Sequence, residues 1–171
     1  MTLSRIRQSI EDVTRFFSEH PEKALGTDKA AVATLEDGLV CRAEGPHGAV
    51  LVTDMPTRVG GGASAPTPGW FLRAALANCD ATVIAMRAAQ LGVVLTKLQV
   101  SVDSVSDNRG MFALGDGVSA GPQSVRIRVQ ISADGAAPEQ LREIVEWAEA
   151  HSPVGDAIRR AVPSTMEIQV A

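Results

Sequence analysis

A chain of 171 residues with 45% hydrophobic and 21% charged side chains has the length of one domain, and it is neither disordered nor dependent on disulfide staples. A formal charge of −4, no tyrosine, four phenylalanines and two tryptophans argue against a nucleic-acid surface, which needs a basic face and stacking rings. The two cysteines, Cys41 and Cys79, make no disulfide framework and give no sign of secretion. In residues 3–20, Ile6, Ile10, Val13 and Phe17 recur at steps of three or four and predict an amphipathic helix, with Ser4 as its N-cap and Pro21 as its stop. Phe16 beside Phe17 implies a second contact, such as another subunit. The segment has no apolar stretch of the kind a signal peptide carries, so a soluble, cytoplasmic protein is expected. Residues 1–26 are assigned to a helical extension and 27–171 to the domain proper.

Over residues 30–54 the apolar period changes to two, giving three short strands, AAVATL, LVCRAE and AVLVTD. The Asp37-Gly38 pair and the Gly45-Pro46-His47-Gly48 run separate them, so a three-stranded meander is predicted. A glycine- and proline-rich loop, GGGASAPTP, then enters a long helix over 68–91, with Thr67 or Ser64 as its cap and Gly92 as its end. Alanine dominates this helix, which predicts enclosure on most sides. Arg73, Asp80 and Arg87, seven residues apart, form one narrow polar line, expected in solvent or at an interface. Those charges also argue against a membrane span. Strands over 97–103 and 124–131 follow, joined by a long connection, then helices over 138–150 and 154–161, and a last strand over 166–170. Strands grouped apart from helices define an α+β fold.

No P-loop, dinucleotide fingerprint, nucleophile elbow or paired-histidine zinc motif is present, so neither a cofactor nor a metal is expected. The one candidate reactive group is Cys79, in ALANCDAT. Free cysteine usually packs as a small hydrophobe. Here Asn78 and Asp80 flank the thiol, and Ser152-Pro153 opens a later helix whose first N–H groups offer donors to an anion.

The run GGGASAPTPGWFLRAALANC resembles the segment of the OsmC/organic-hydroperoxide-resistance family in which a glycine loop and a Pro-x-Pro-Gly turn enter the central helix. The run HSPVGDAIRRAVP resembles the family's second signature, where Cys-Pro opens a later helix. The resemblance implies antiparallel sheets packed around a long central helix, in an intertwined homodimer with two sites at the subunit interface. It implies a thiol-dependent peroxidase, with Cys79 in the peroxidatic position.

The chain departs from that pattern twice. Ser152 stands where the second cysteine is expected; it can donate a hydrogen bond but cannot form a disulfide. The helix entrance reads Gly69-Trp70 where the family carries a glutamate that helps orient an arginine over the thiolate. Arg42, on an early strand, is the nearest candidate for that arginine. An unassisted thiol, with a pKa of about 8.5, is only a few per cent ionised at neutral pH, so a cation or oriented donors must help. Cys41 is assigned to core packing, with a resolving role as the alternative. The resulting expectation is a one-cysteine hydroperoxide reductase resolved by an external dithiol. The alternative is a non-catalytic pocket protein, in which Trp70 and Gly69 line a site for a bulky apolar ligand.

Overall fold

The structure, a computed structural model, describes residues 2–170. It forms two compact units, one of Gln8–Ala75 and the other of Leu76 onward together with the N-terminal residues through Arg7.

In the first unit, β1 (Val32–Asp37), β2 (Val40–Glu44) and β3 (Val50–Thr53) form the expected antiparallel meander, in the order β1-β2-β3. Gly38 takes the positive φ (+55°) that the β1–β2 turn requires. Leu35 lies opposite Cys41, and Cys41 opposite Thr53, so the cysteine sits on the central strand. Val32, Leu35, Leu39 and Val50 remain exposed. After β3 the glycine-rich loop winds around a single carboxylate, that of Asp54, which is only 1% exposed. Its Oδ1 accepts the Met55 N–H at 2.7 Å, and its Oδ2 accepts from Gly62 N (3.1 Å), Ser64 N (2.9 Å) and Ser64 Oγ (2.8 Å). These donors, Ser64 first, hold the Asp54 carboxyl below the usual carboxylate range.

Helix α1 (Leu3–Glu19) buries none of its residues, and Val13, Phe16 and Phe17 are exposed. Its start lies one residue earlier than Ser4: the Thr2 hydroxyl accepts from Arg5 N at 3.4 Å, so Ser4 is inside the helix and is not the N-cap. Arg7, in the second unit, donates from Nε to the Gln90 carbonyl at 3.1 Å, placing a cation at the C-terminus of helix α2 (Pro68–Gln90). Thr67 is the α2 cap, its Oγ1 accepting the Trp70 N–H at 3.2 Å. Gly92 ends the helix region at φ +73°.

The core of the second unit is Ile84, Ala88, Val93, Ile144 and Ala148, lined by Leu98, Val100, Val129, Ile131 and their neighbours. It joins α2 and α3 (Pro138–Ala150) to the antiparallel pair β4 (Leu95–Val105) and β5 (Ser124–Ala133). Buried isoleucines such as Ile84 and Ile144 each contribute about 2 to 3 kcal/mol. A short helix, α4 (Pro153–Arg159), follows α3.

Three expectations are corrected. Residues 166–170 form no strand; Met166, Ile168 and Val170 alternate in sequence as a strand would but stand 77–90% exposed, with no strand pairing to them among the described residues. Helix α2 is not enclosed on most sides: its buried line is Leu76, Asp80, Ile84 and Ala88, while Leu72, Ala75, Asn78, Thr82 and Met86 are exposed. The polar line is not in solvent, because Asp80 lies within that buried row at 4% exposure. Heptad spacing fixes that three charges share a face, but not which way the face points.

Candidate active site

Cys79 lies midway along α2, one position before the buried row, so its thiol is half-buried and free. Ser152 is placed by its successor. Proline disfavours helical backbone in the preceding residue, so Ser152 stays extended (φ −75°, ψ 116°) and becomes the N-cap of α4. Its side chain is 0% exposed. The Ser152 Oγ accepts the Gly155 N–H at 3.2 Å and donates to Cys79 Sγ at 3.3 Å. With one lone pair taken by the amide, the single hydroxyl proton is aimed at sulfur, and such a donor stabilises a thiolate more than a thiol. A Cβ on Gly155 would stand 3.1 Å from Ser152 Cβ and Oγ, so glycine is what lets the amide come this close.

Of the expected site residues, Cys79 and Ser152 lie in the same unit and are in contact. Arg42 lies on β2, where its Nε donates to Glu36 Oε1 at 2.5 Å and that carboxylate raises its pKa. Gly69 and Trp70 are in the first turn of α2, ten and nine residues before Cys79 in sequence. The Trp70 ring is 47% exposed and meets Phe71 edge-on at 5.0 Å. A Cβ at Gly69 would meet only ordinary contacts, 3.9 Å from Arg73 Nη1, so this position has room for a side chain.

A second group near the junction of α3 and α4 was not singled out from sequence. Trp147 and His151 stack at 4.0 Å and 12°, and His151 Nδ1 lies 2.7 Å from the Trp147 carbonyl oxygen. The Arg87 guanidinium sits 4.5 Å from the same indole centroid. The i, i+4 spacing of Trp147 and His151 at the end of a predicted helix was the available signal.

The fold is α+β, and its half-buried thiol accepts a hydrogen bond from the hydroxyl that caps α4. A family model described as OsmC-like protein matches residues 60–167, and the chain belongs to that family. Solved structures share the fold. An OsmC-like protein from Mycoplasma pneumoniae is 14% identical, covering 80% of this chain and 91% of that one, with a TM-score of 0.67. The organic hydroperoxide resistance protein OsmC from Legionella pneumophila is 20% identical, covering 76% and 89%, with a TM-score of 0.55. A putative organic hydroperoxide resistance protein from Vibrio cholerae, solved with captopril in one of its active sites, is 21% identical over 80% and 89%, with a TM-score of 0.54. A comparison with curated proteins gives no match.

Proposed function

We propose that this chain is a one-cysteine organic hydroperoxide reductase. The observation that carries this reading is the hydrogen bond from the Ser152 hydroxyl to the Cys79 sulfur on a half-buried, free thiol. The Cys79 thiolate attacks one peroxide oxygen, the O–O bond breaks, and the departing alkoxide takes a proton and leaves as the alcohol. Sulfur is oxidised to the sulfenic acid. An external dithiol then condenses with it, releasing water, and its second thiol displaces Cys79 as a free thiol and leaves as a disulfide. Ser152 stabilises the attacking thiolate.

Dithiol regeneration fits a reducing compartment, the cytoplasm, and no helix among the described residues is long and apolar enough to cross a membrane. The protein acts as a homodimer, with residues 1–26 as an extension to the family domain. The support is surface without cover: the apolar positions of β1–β3, the free face of α2 and the alternating residues 166–170. Sedimentation equilibrium that finds a monomer rejects the dimer.

The test of activity is consumption of an organic hydroperoxide with a dithiol as reductant. Turnover is expected in wild type and in Cys41→Ser, with loss to the uncatalysed rate in Cys79→Ala. Equal rates with and without Cys79 overturn the proposal. The exposed Trp70 ring at the helix entrance favours a second reading, a non-catalytic pocket protein for bulky apolar ligands. Native mass spectrometry would then show a retained small molecule that Trp70→Ala releases.

A further inference from the structure

We propose that Arg87, Trp147 and His151 form a positioning device that holds the Ser152 hydroxyl on the Cys79 sulfur. This inference rests on the reading of Cys79 as the reactive group. A hydroxyl-to-sulfur contact helps a thiolate only if its two carriers are fixed, and here they come from different helices. Cys79 is on α2, and Ser152 is the link between α3 and α4.

Each side of that link is fastened. The His151 ring lies flat on Trp147, four residues earlier on α3, with Nδ1 2.7 Å from the Trp147 carbonyl oxygen, and His151 is bonded directly to Ser152. On the far side, Arg159 donates from Nη1 to Glu149 Oε1 at 2.7 Å and from Nη2 to the Glu149 carbonyl at 2.8 Å, so α4 is tied back to the end of α3. These contacts set the junction, but not its distance from α2.

Arg87 supplies that connection. It is eight residues beyond Cys79 on the same helix, about 12 Å of rise, and its guanidinium carbon lies 4.5 Å from the Trp147 ring centroid. Its Nε is buried with no hydrogen-bond acceptor among the described residues, and its Nη1 reaches only Gln90 Oε1, at 3.4 Å. The indole is therefore what this part-buried cation is held by, an attraction to the ring's π-system. Two ties, Cys79 to Ser152 and Arg87 to Trp147, brace α2 against the junction. Remove the second and the first becomes a single weak contact that the junction can swing away from. Arg87, Trp147 and His151 touch no reacting atom; they act through Ser152.

The test follows the rate of alkylation of Cys79 by iodoacetamide at neutral pH in the Cys41→Ser background, a readout that needs no peroxide turnover. Ser152→Ala is expected to slow alkylation at neutral pH by about tenfold. Arg87→Met, which keeps the aliphatic stem, and His151→Ala are expected to reproduce roughly a third or more of that loss, on the logarithmic scale. Arg87→Lys, which keeps the cation, and His151→Phe, which keeps the stack, recover most of the wild-type rate. In the Ser152→Ala background, Arg87→Met and His151→Ala should add nothing further. Wild-type alkylation in a folded Arg87→Met protein overturns the proposal, as does an undiminished effect of Arg87→Met when Ser152 is already alanine. Absence of peroxide turnover with this alkylation pattern intact would instead count against the proposed function and leave the positioning device standing.

Discussion

Ser152→Cys is expected to convert oxidation of Cys79 into a disulfide. The hydroxyl oxygen at this position already lies 3.3 Å from Cys79 Sγ, so a thiol there needs a movement of only about 1 Å to reach bonding distance. One equivalent of organic hydroperoxide first makes the sulfenic acid at Cys79. The introduced thiol then condenses with it and water leaves. Intact mass should fall by two hydrogens rather than rise by one oxygen, and both thiols should be lost together. The first step is also expected to slow, because the oxygen donor that steadies the thiolate is gone. A sulfenic acid that persists at Cys79 beside a free introduced thiol would show that the two positions do not meet in solution.

Gly61→Ala is expected to have the largest effect on folding. A Cβ there would stand 1.9 Å from the Met55 carbonyl oxygen, 2.4 Å from its carbon and 2.8 Å from Met55 Cα. Backbone cannot yield as a flexible side chain can, so the loop between β3 and α2 must open. The cost is on the order of 3 kcal/mol or more, read as a drop in unfolding midpoint. Asp54→Asn attacks the same loop through its hydrogen bonds. An amide offers one acceptor oxygen where Oδ1 and Oδ2 now serve Met55, Gly62 and Ser64, so donors in the loop lose their partner. The sign with pH follows from the depressed carboxyl of Asp54. Its contribution is full above the unfolded-state value of about 3.9 and is lost as pH falls through the lower folded value. The protection of the Gly62 and Ser64 amides relative to their intrinsic exchange rates should therefore fall in acid in wild type, and at all pH in Asp54→Asn. Unchanged protection of these amides in the variant would contradict the role given to Asp54.

Local chemistry made much of this architecture legible in sequence. Proline and glycine bracket the long helix, so the expected 68–91 became Pro68–Gln90 with Gly92 at positive φ. The Asp37-Gly38 turn fixed the first hairpin, and Pro138 fixed the start of α3. Ser152-Pro153 carried its own conformational instruction, the N-cap of a helix, whereas the link between Ser152 and Cys79 came from the resemblance and not from spacing. What stayed hidden depended on distant neighbours. Residues 166–170 show the alternation of a strand, but alternation states amphipathicity and does not provide an edge to pair with. Asp80 reads as polar, yet its neighbours on the helix face, Leu76 and Ile84, turn inward and take it with them. Asp54 reads as the end of a strand, while its actual role is to collect donors from a loop ten residues long in sequence. Arg87 belonged to the polar line by spacing, and only the fold reveals that the Trp147 ring lies across from it.

The most direct measurement is a chemical trap. Protein carrying Cys41→Ser is treated with one equivalent of an organic hydroperoxide in the presence of a sulfenic-acid reagent, then digested and analysed by mass spectrometry. A single adduct on Cys79, formed faster in wild type at Ser152 than in Ser152→Ala, is the predicted result. No adduct on Cys79, with the thiol still free after the peroxide has been added, would contradict the account.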